Sequence, residues 1–485
     1  MNWWVLRRQP HVSWLIAILC TAILVGVYLA KYVQVPEFGS LPFMLGAILL
    51  IIVSMWRRFI YLIPLIILGG IAIGLWRGTI QNNDLAGMRN LYGFEVTISG
   101  RVTEDVDSNT EGQLTVRLDS LSIGSQALPG SLWATINSGT DIKRSDIIKI
   151  KGKLAEGFGS FAGTMYRAQL LQIQRPQPGD VALTVRDGFS DSIRRAIPDP
   201  QASLGIGYLV GQKRALPLSL VEALKIAGLT HIVVASGYNL TILVRLARRL
   251  FEKISKYLAT LFSALMIAGF IAVTGLSPSM TRAGLVAGLS LAAWYYGRRF
   301  HPLVLLPMAA AITVIIKPSY IWGDLGWQLS FAAFAGVMIL APLLQSYFFG
   351  NEKPGFIRQI LGETISALIL TAPILISAFG QISNVSIIAN LLVLPLVPLA
   401  MLLTFIAGIG GLVVPSVADI IGLPAKWLLQ YMISVADYLS KLPWAVSELA
   451  VSGIAASIFY GIIIGVCVYL WRTTKYDLRD ANIVE

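Results

Sequence analysis

The chain has 485 residues, of which 55% are hydrophobic and only 13% charged, and its mean hydropathy is +0.70. A soluble protein carries about 25% charged residues, so this composition excludes an ordinary soluble enzyme and indicates a polytopic helical membrane protein. Lys and Arg number 38 against 26 Asp and Glu, a formal net charge of +12 that fits the Lys and Arg of cytoplasmic loops; charge alone does not select the alternative, a polyanionic substrate.

In chain order, Arg7 and Arg8 precede the apolar run Ser13 to Ala30, which no cleavage site follows. We read it as an uncleaved anchor with its N-terminus cytoplasmic. Leu41 to Trp56 and Phe59 to Trp76 come next, divided by Arg57 and Arg58, so the second helix returns inward and the third leads out. Residues 1–80 thus form an N-terminal transmembrane region.

Residues 81–180 change character. Alternating segments starting at Phe94, Gln113, Ser131, Asp146 and Tyr166, parted by Gly, Asn, Asp and Ser, predict a small extracytoplasmic β-barrel resembling an OB-fold. Acidic and basic residues balance across it, but Lys143, Arg144, Lys149, Lys151 and Lys153 bunch together. In a strand, Lys149, Lys151 and Lys153 share one face. This group is a candidate nucleic-acid-binding surface, with a simple solvated face as the alternative. Residues 181–200 hold Ala182 to Ile197, whose Val185, Phe189 and Ile193 recur every fourth position. That spacing predicts an amphipathic connecting helix lying on the membrane surface.

Residues 201–471 are almost entirely apolar. The basic run Arg245, Arg248, Arg249, Lys253 and Lys256 reads as a cytoplasmic anchor by the same rule. Spans are expected at Tyr257 to Gly275, Met280 to Tyr296, Pro302 to Ile316, Ile321 to Leu344, Ile360 to Phe379 and Gly453 to Trp471. Val385 to Val414, rich in Pro and Gly, predicts a broken or re-entrant element, and Ala425 to Leu439 either crosses or lies flat. Altogether about ten or eleven membrane helices are expected, with residues 472–485 a cytoplasmic tail.

Four groups in this region are too polar for inert spans. Ala227 to Leu243 carries His231, Ser236, Gly237, Tyr238 and Asn239, and its Ser-Gly pair invites a mid-membrane break. Arg282 follows Pro278, Asp324 precedes Gln328 and Ser330, and Asn390 precedes Pro395. Intramembrane polar groups need partners, so each serves either as helix–helix glue or as lining of a wet path. We expect Asp324 to pair with Arg282. The two cysteines, Cys20 and Cys467, and three histidines are too few for a cysteine or histidine-rich metal site, and no metal or cofactor is expected.

AGLTHIVVASGYNL, MTRAGLVA, GWQLSFAAFAGV and NLLVLPLVPLAM resemble, in that order, four signatures of the ComEC competence protein family. The resemblance covers nearly the whole chain, since family members also have a few helices followed by an extracytoplasmic OB-like domain. It implies a cytoplasmic (inner) membrane channel passing single-stranded transforming DNA to the cytoplasm, with no catalytic role for this chain. On that reading the polar residues named above are pathway candidates. Three departures stand out. Asn239 replaces the family's final signature histidine, the OB-like region lacks cysteine, and the chain is read as a short form without the C-terminal metallo-β-lactamase-like domain. A separate DNA receptor, nuclease and cytoplasmic ATP-driven helicase are therefore the implied partners, besides single-stranded DNA and membrane lipid.

Without the resemblance, a secondary transporter of a small solute is the first alternative, although it has no obvious use for the barrel. An intramembrane protease with Ser236 as nucleophile lacks a well-placed base, because His231 lies five residues away on a helix.

Overall fold

Apolar runs in a bilayer satisfy their backbone only internally, and in this chain they form helices. The computed structural model describes residues 10–33, 35–57, 59–108, 112–137, 141–177, 179–212, 216–233, 237–275, 277–297, 301–350, 352, 354–476 and 478. Arg7, Arg8, Arg58, Ser236, Arg298, Arg299 and Lys353 lie outside the described residues.

α1 (Val12–Leu29), α2 (Leu41–Arg57) and α3 (Ile63–Arg89) form the first helical unit. α1 and α3 approach backbone to backbone: a Cβ on Gly26 would lie 2.2 Å from the Ile71 carbonyl oxygen, and one on Gly74 would lie 2.3 Å from that of Ile23. α3 runs well past the expected end at Trp76, so the boundary expected at residue 80 falls inside a helix. Its polar extension caps other helices. Arg77 donates to the Ile315 and Ile316 carbonyls, and Asn82 donates to the Ala30 carbonyl at 2.6 Å. These are the carbonyls that a helix C-terminus leaves unsatisfied.

All five expected strands form: β1 (Glu95–Val102), β3 (Leu114–Ile123), β5 (Leu132–Ile136), β6 (Ile147–Glu156) and β7 (Gly163–Gln174). Short β2 (Asp107–Ser108) and β4 (Gln126–Leu128) pair only with β3. The ring runs β1-β6-β7-β5-β3 and closes by β3 pairing β1; only β5 and β7 are parallel. The result is a closed five-stranded barrel, as the OB-like expectation requires. Alternation sends Ile148 and Ile150 inward with Ile98, Leu118, Leu132 and Met165, and Met88 from the end of α3 joins that core.

α4 (Val181–Ala196) is the amphipathic helix, N-capped by Asp180. It packs along one side into a groove of the helical region. Phe189 fills the space beside Gly408, while the Ser192 and Ala196 carbonyls press against Gly411 and Gly422, where a Cβ would come within 2.1 and 2.0 Å. Phe189 and Ile193 of its apolar face therefore cover protein, while Val185 stays 63% exposed.

The remaining helices are α5 (Gln201–Val210), α6 (Leu218–Ile226), α7 (Thr230–Val233), α8 (Gly237–Phe251), α9 (Lys256–Thr274), α10 (Pro278–Tyr295), α11 (Pro302–Ile316) and α12 (Ser319–Gly323). α13 (Leu325–Ala335) continues through a π-helical turn at Gly336–Leu340 into α14 (Ala341–Phe349). After α15 (Phe356–Phe379), the element expected to be broken or re-entrant is α16 (Ser386–Val393) continued through a 3-10 turn containing Pro395 into α17 (Val397–Val413), one helical stretch of 28 residues. α18 (Ala418–Ser440) and α19 (Gly453–Thr474) complete the chain, and β8 (Gln381–Ser383) pairs with β9 (Val446–Glu448).

Among the described residues, seven helical stretches are long and apolar enough to cross a membrane, and Leu41–Trp56 and Pro302–Ile316 are shorter apolar helices. The chain is a multi-pass helical membrane protein carrying a small barrel. The ten or eleven expected also counted shorter or more polar helices, α2, α11 and α8 among them. α8 spans only 15 residues with Arg245, Arg248 and Arg249 within it, and α18 carries Asp419, Lys426 and Asp437.

Candidate functional site

The over-polar stretch Ala227 to Leu243 is not one helix. α6 ends at Ile226, and Gly228 then turns left-handed (φ +72°), with its absent Cβ only 2.5 Å from the Ser386 Cβ. Glycine is required there on both counts. α7 is one turn, with His231 exposed, and α8 begins at Gly237, with Tyr238 in its first turn. A Cβ on Gly237 would lie 3.2 Å from the Ala283 Cβ and 3.5 Å from Nη2 of Arg282. Asn239 is fully buried, and its Nδ2 donates to the Tyr208 carbonyl at 3.0 Å, tying α8 to α5. That contact is the one a helix-joining amide makes.

On α10, Nη1 of Arg282 donates to the Ser330 main-chain carbonyl, and the guanidinium lies 5.8 Å from the Phe331 ring centre. The expected ion pair with Asp324 is not what these side chains form. Asp324 N-caps α13, with Oδ1 accepting from the Trp327 N–H at 2.8 Å and Oδ2 accepting from the Ser160 hydroxyl at 2.7 Å. The reason is axial position: at 1.5 Å per residue, Ser330 stands about 9 Å along α13 from Asp324. Arg282 meets α13 at the deeper level. Asp324, Gln328 and Phe331 follow the four-then-three spacing of one helix face, with Gln328 half-buried. Ser330 contributes its carbonyl to Arg282.

Asn390 on α16 is 3% exposed, and its Oδ1 has no hydrogen-bond partner among the described residues. Ser386, one turn earlier on α16, is the residue that Gly228 touches. The four polar groups are thus chained: Asn390's helix meets the stretch at Gly228, Arg282 meets it at Gly237, and Arg282 meets the third group at Ser330. Phe331, Tyr208 and Ser386 were not singled out in the sequence. Only the place of Phe331 on the face of Asp324 and Gln328 carried a signal.

On the barrel, Lys149, Lys151 and Lys153 are all exposed on one face of β6, with Lys151 3.7 Å from Glu95. Lys143 is half-buried and pairs with Asp141 at 3.6 Å. Arg144 departs from the expected surface. It is 7% exposed, its Nε donates to Asp180 at 2.9 Å, and Nη1 and Nη2 donate to the Val273 and Ala272 carbonyls at the end of α9. It latches the barrel to the helices because its fork satisfies a carboxylate and two terminal carbonyls at once. Burial alone would raise the Asp180 carboxyl, but the Leu183 N–H, Arg144 and Ser145 reverse this and hold it below its ordinary value.

A family model described as Competence protein matches residues 208–474, the region holding all four polar groups. ComE operon protein 3 of Bacillus subtilis (strain 168) is 26% identical over 239 residues, which cover 47% of this chain and 29% of that protein. The matched part is therefore less than a third of that relative's length. No solved structure matches.

Proposed function

The chain belongs to the competence protein family, and from that premise we propose that it takes part in DNA uptake as the membrane channel for a single strand. In this reading the barrel lies outside the cytoplasm, the N-terminus and the tail lie inside, and the strand passes from the barrel side inward. The observation that carries it is the convergence of the four polar groups on the broken stretch, with Arg282 bound to a main-chain carbonyl between α8 and α13. A conducting path needs donors for phosphate and polar groups for bases, held by a rigid shell. Arg282 and Gln328 supply donors, His231 is an exposed ring beside the break, and Asn239 fixes the wall. The work is conduction, not catalysis, so strand degradation and pulling fall to a separate nuclease and an ATP-driven helicase, with a receptor delivering the duplex. A small-solute transporter leaves the barrel without a task.

The test is deletion of the gene in a naturally transformable host, followed with labelled duplex DNA. Label is expected to reach the exterior compartment and stop there; undiminished arrival in the cytosol refutes the channel.

A further inference from the structure

Beside the lysine stripe, the barrel carries aromatic side chains that its core does not use. Trp133 on β5 packs edge-on against Phe158 and Tyr166, each at 5.5 Å between ring centres, and Phe158 and Tyr166 are 50% and 61% exposed. Such exposed rings, on the strands and, for Phe158, in the loop between β6 and β7, leave apolar surface uncovered, which marks an interaction site. Tyr166 stands on β7, the strand that pairs β6, so rings and lysines occupy neighbouring strands of one outer face. Along β6 the ammonium-bearing positions repeat about every 6.6 Å, from Lys149 to Lys153. The chain then enters the loop of Phe158, whose next two residues touch the helical region. Gly159 closes against Gly323, where a Cβ would meet its carbonyl at 3.1 Å, and Ser160 bonds Asp324.

We propose that this outer face of β6, β7 and β5 is the entry track for the single strand: Lys149, Lys151 and Lys153 follow its phosphates, and Trp133, Phe158 and Tyr166 stack its bases. The track ends at the start of α13, the helix that Arg282 engages deeper down. A row of cations beside exposed rings is the pattern for single-stranded nucleic acid, because charge follows the backbone and every base offers a face to stack. The two-residue repeat of lysines along one strand gives the surface a direction, which favours a linear polyanion over a lipid surface. The inference rests on the channel reading.

The full chain in phosphatidylcholine nanodiscs, titrated with fluorescein-labelled oligo(dT), provides the test. Combined Trp133→Ala, Phe158→Ala and Tyr166→Ala is expected to weaken binding at least about tenfold. Combined Lys149→Gln, Lys151→Gln and Lys153→Gln is expected to flatten the dependence of log affinity on log salt by about 2, from roughly 0.7 per phosphate contact. In the unaltered protein, oligo(dT) should change the fluorescence lost in Trp133→Phe, a reading that needs no disruptive variant. Unchanged affinity in the aromatic variant overturns the track. So does quenching of Trp133 by brominated phosphatidylcholine with no response to oligo(dT), which would make the face a lipid anchor. Either result leaves the channel standing if deletion of the gene still blocks cytosolic arrival; a deletion strain with normal arrival sinks the channel itself.

Discussion

Arg282 binds the carbonyl of Ser330, and Asp324 binds Ser160 on the barrel, so two charges that the sequence suggests as partners serve different contacts. It follows that exchanging them should not restore function. Arg282→Asp combined with Asp324→Arg is expected to transport no better than either single change, and to melt lower than both. A charged hydrogen bond of this kind contributes about 1.5–3 kcal/mol, so Arg282→Ala should lower stability by that order. Transformation frequency and melting in detergent report the two effects, and rescue by the double exchange would restore the ion-pair view.

Gly228 and Gly237 separate conformation from space. Alanine at Gly228 must adopt a left-handed backbone and also displace Ser386, each costing about 1–2 kcal/mol or more. Alanine at Gly237 meets only side chains, at 3.2 and 3.5 Å. Gly228→Ala should therefore lower the melting point several degrees more than Gly237→Ala, and Ser386→Gly should recover part of the loss. Equal effects of the two alanines would show that the left-handed turn is not required.

What the sequence discloses depends on the range of the interaction. Period-two alternation marks all five barrel strands, since one face of each must meet the core. The polar groups betray themselves by being in an apolar run. Arg144 does not, because Lys143 beside it has the same chemistry and only the carbonyls of Ala272 and Val273 distinguish their fates. The extension of α3 is hidden for a similar reason. Arg77 to Asp84 show no apolar period, and what holds them helical is the ends of α1 and α11, far away in sequence. Arg282's level on α13 likewise depends on how α10 and α13 are offset, which no local spacing encodes.

Arg144 and Asp180 predict an acid-sensitive junction. The folded Asp180 carboxyl is held below the unfolded value of about 3.9, so its contribution is complete above that pH and is lost as pH falls through the folded value. Limited proteolysis between barrel and helices should accelerate below about pH 4 in the unaltered protein. Asp180→Asn should be faster at neutral pH and lack that acid step. Arg144→Ala leaves Asp180 without its ion-pair partner, and breaking a buried pair costs about 3–5 kcal/mol. It should loosen the junction without flattening the salt dependence of oligo(dT) binding, whereas loss of that dependence would return Arg144 to the DNA-binding surface.

Asn390 distinguishes a path from glue. Its Oδ1 is buried and unpartnered among the described residues, and an unmet acceptor of this kind costs about 1–3 kcal/mol. Glue would make a bond across helices, as Asn239 does to Tyr208. Asn390→Leu, of similar volume, should therefore raise the melting point while cutting cytosolic DNA arrival at least about tenfold, whereas Asn239→Leu should lower the melting point. The opposed stability signs come from one measurement on two asparagines, so differences in expression do not confuse them. If Asn390→Leu melts lower and transports normally, its amide is a structural tie and belongs with Asn239.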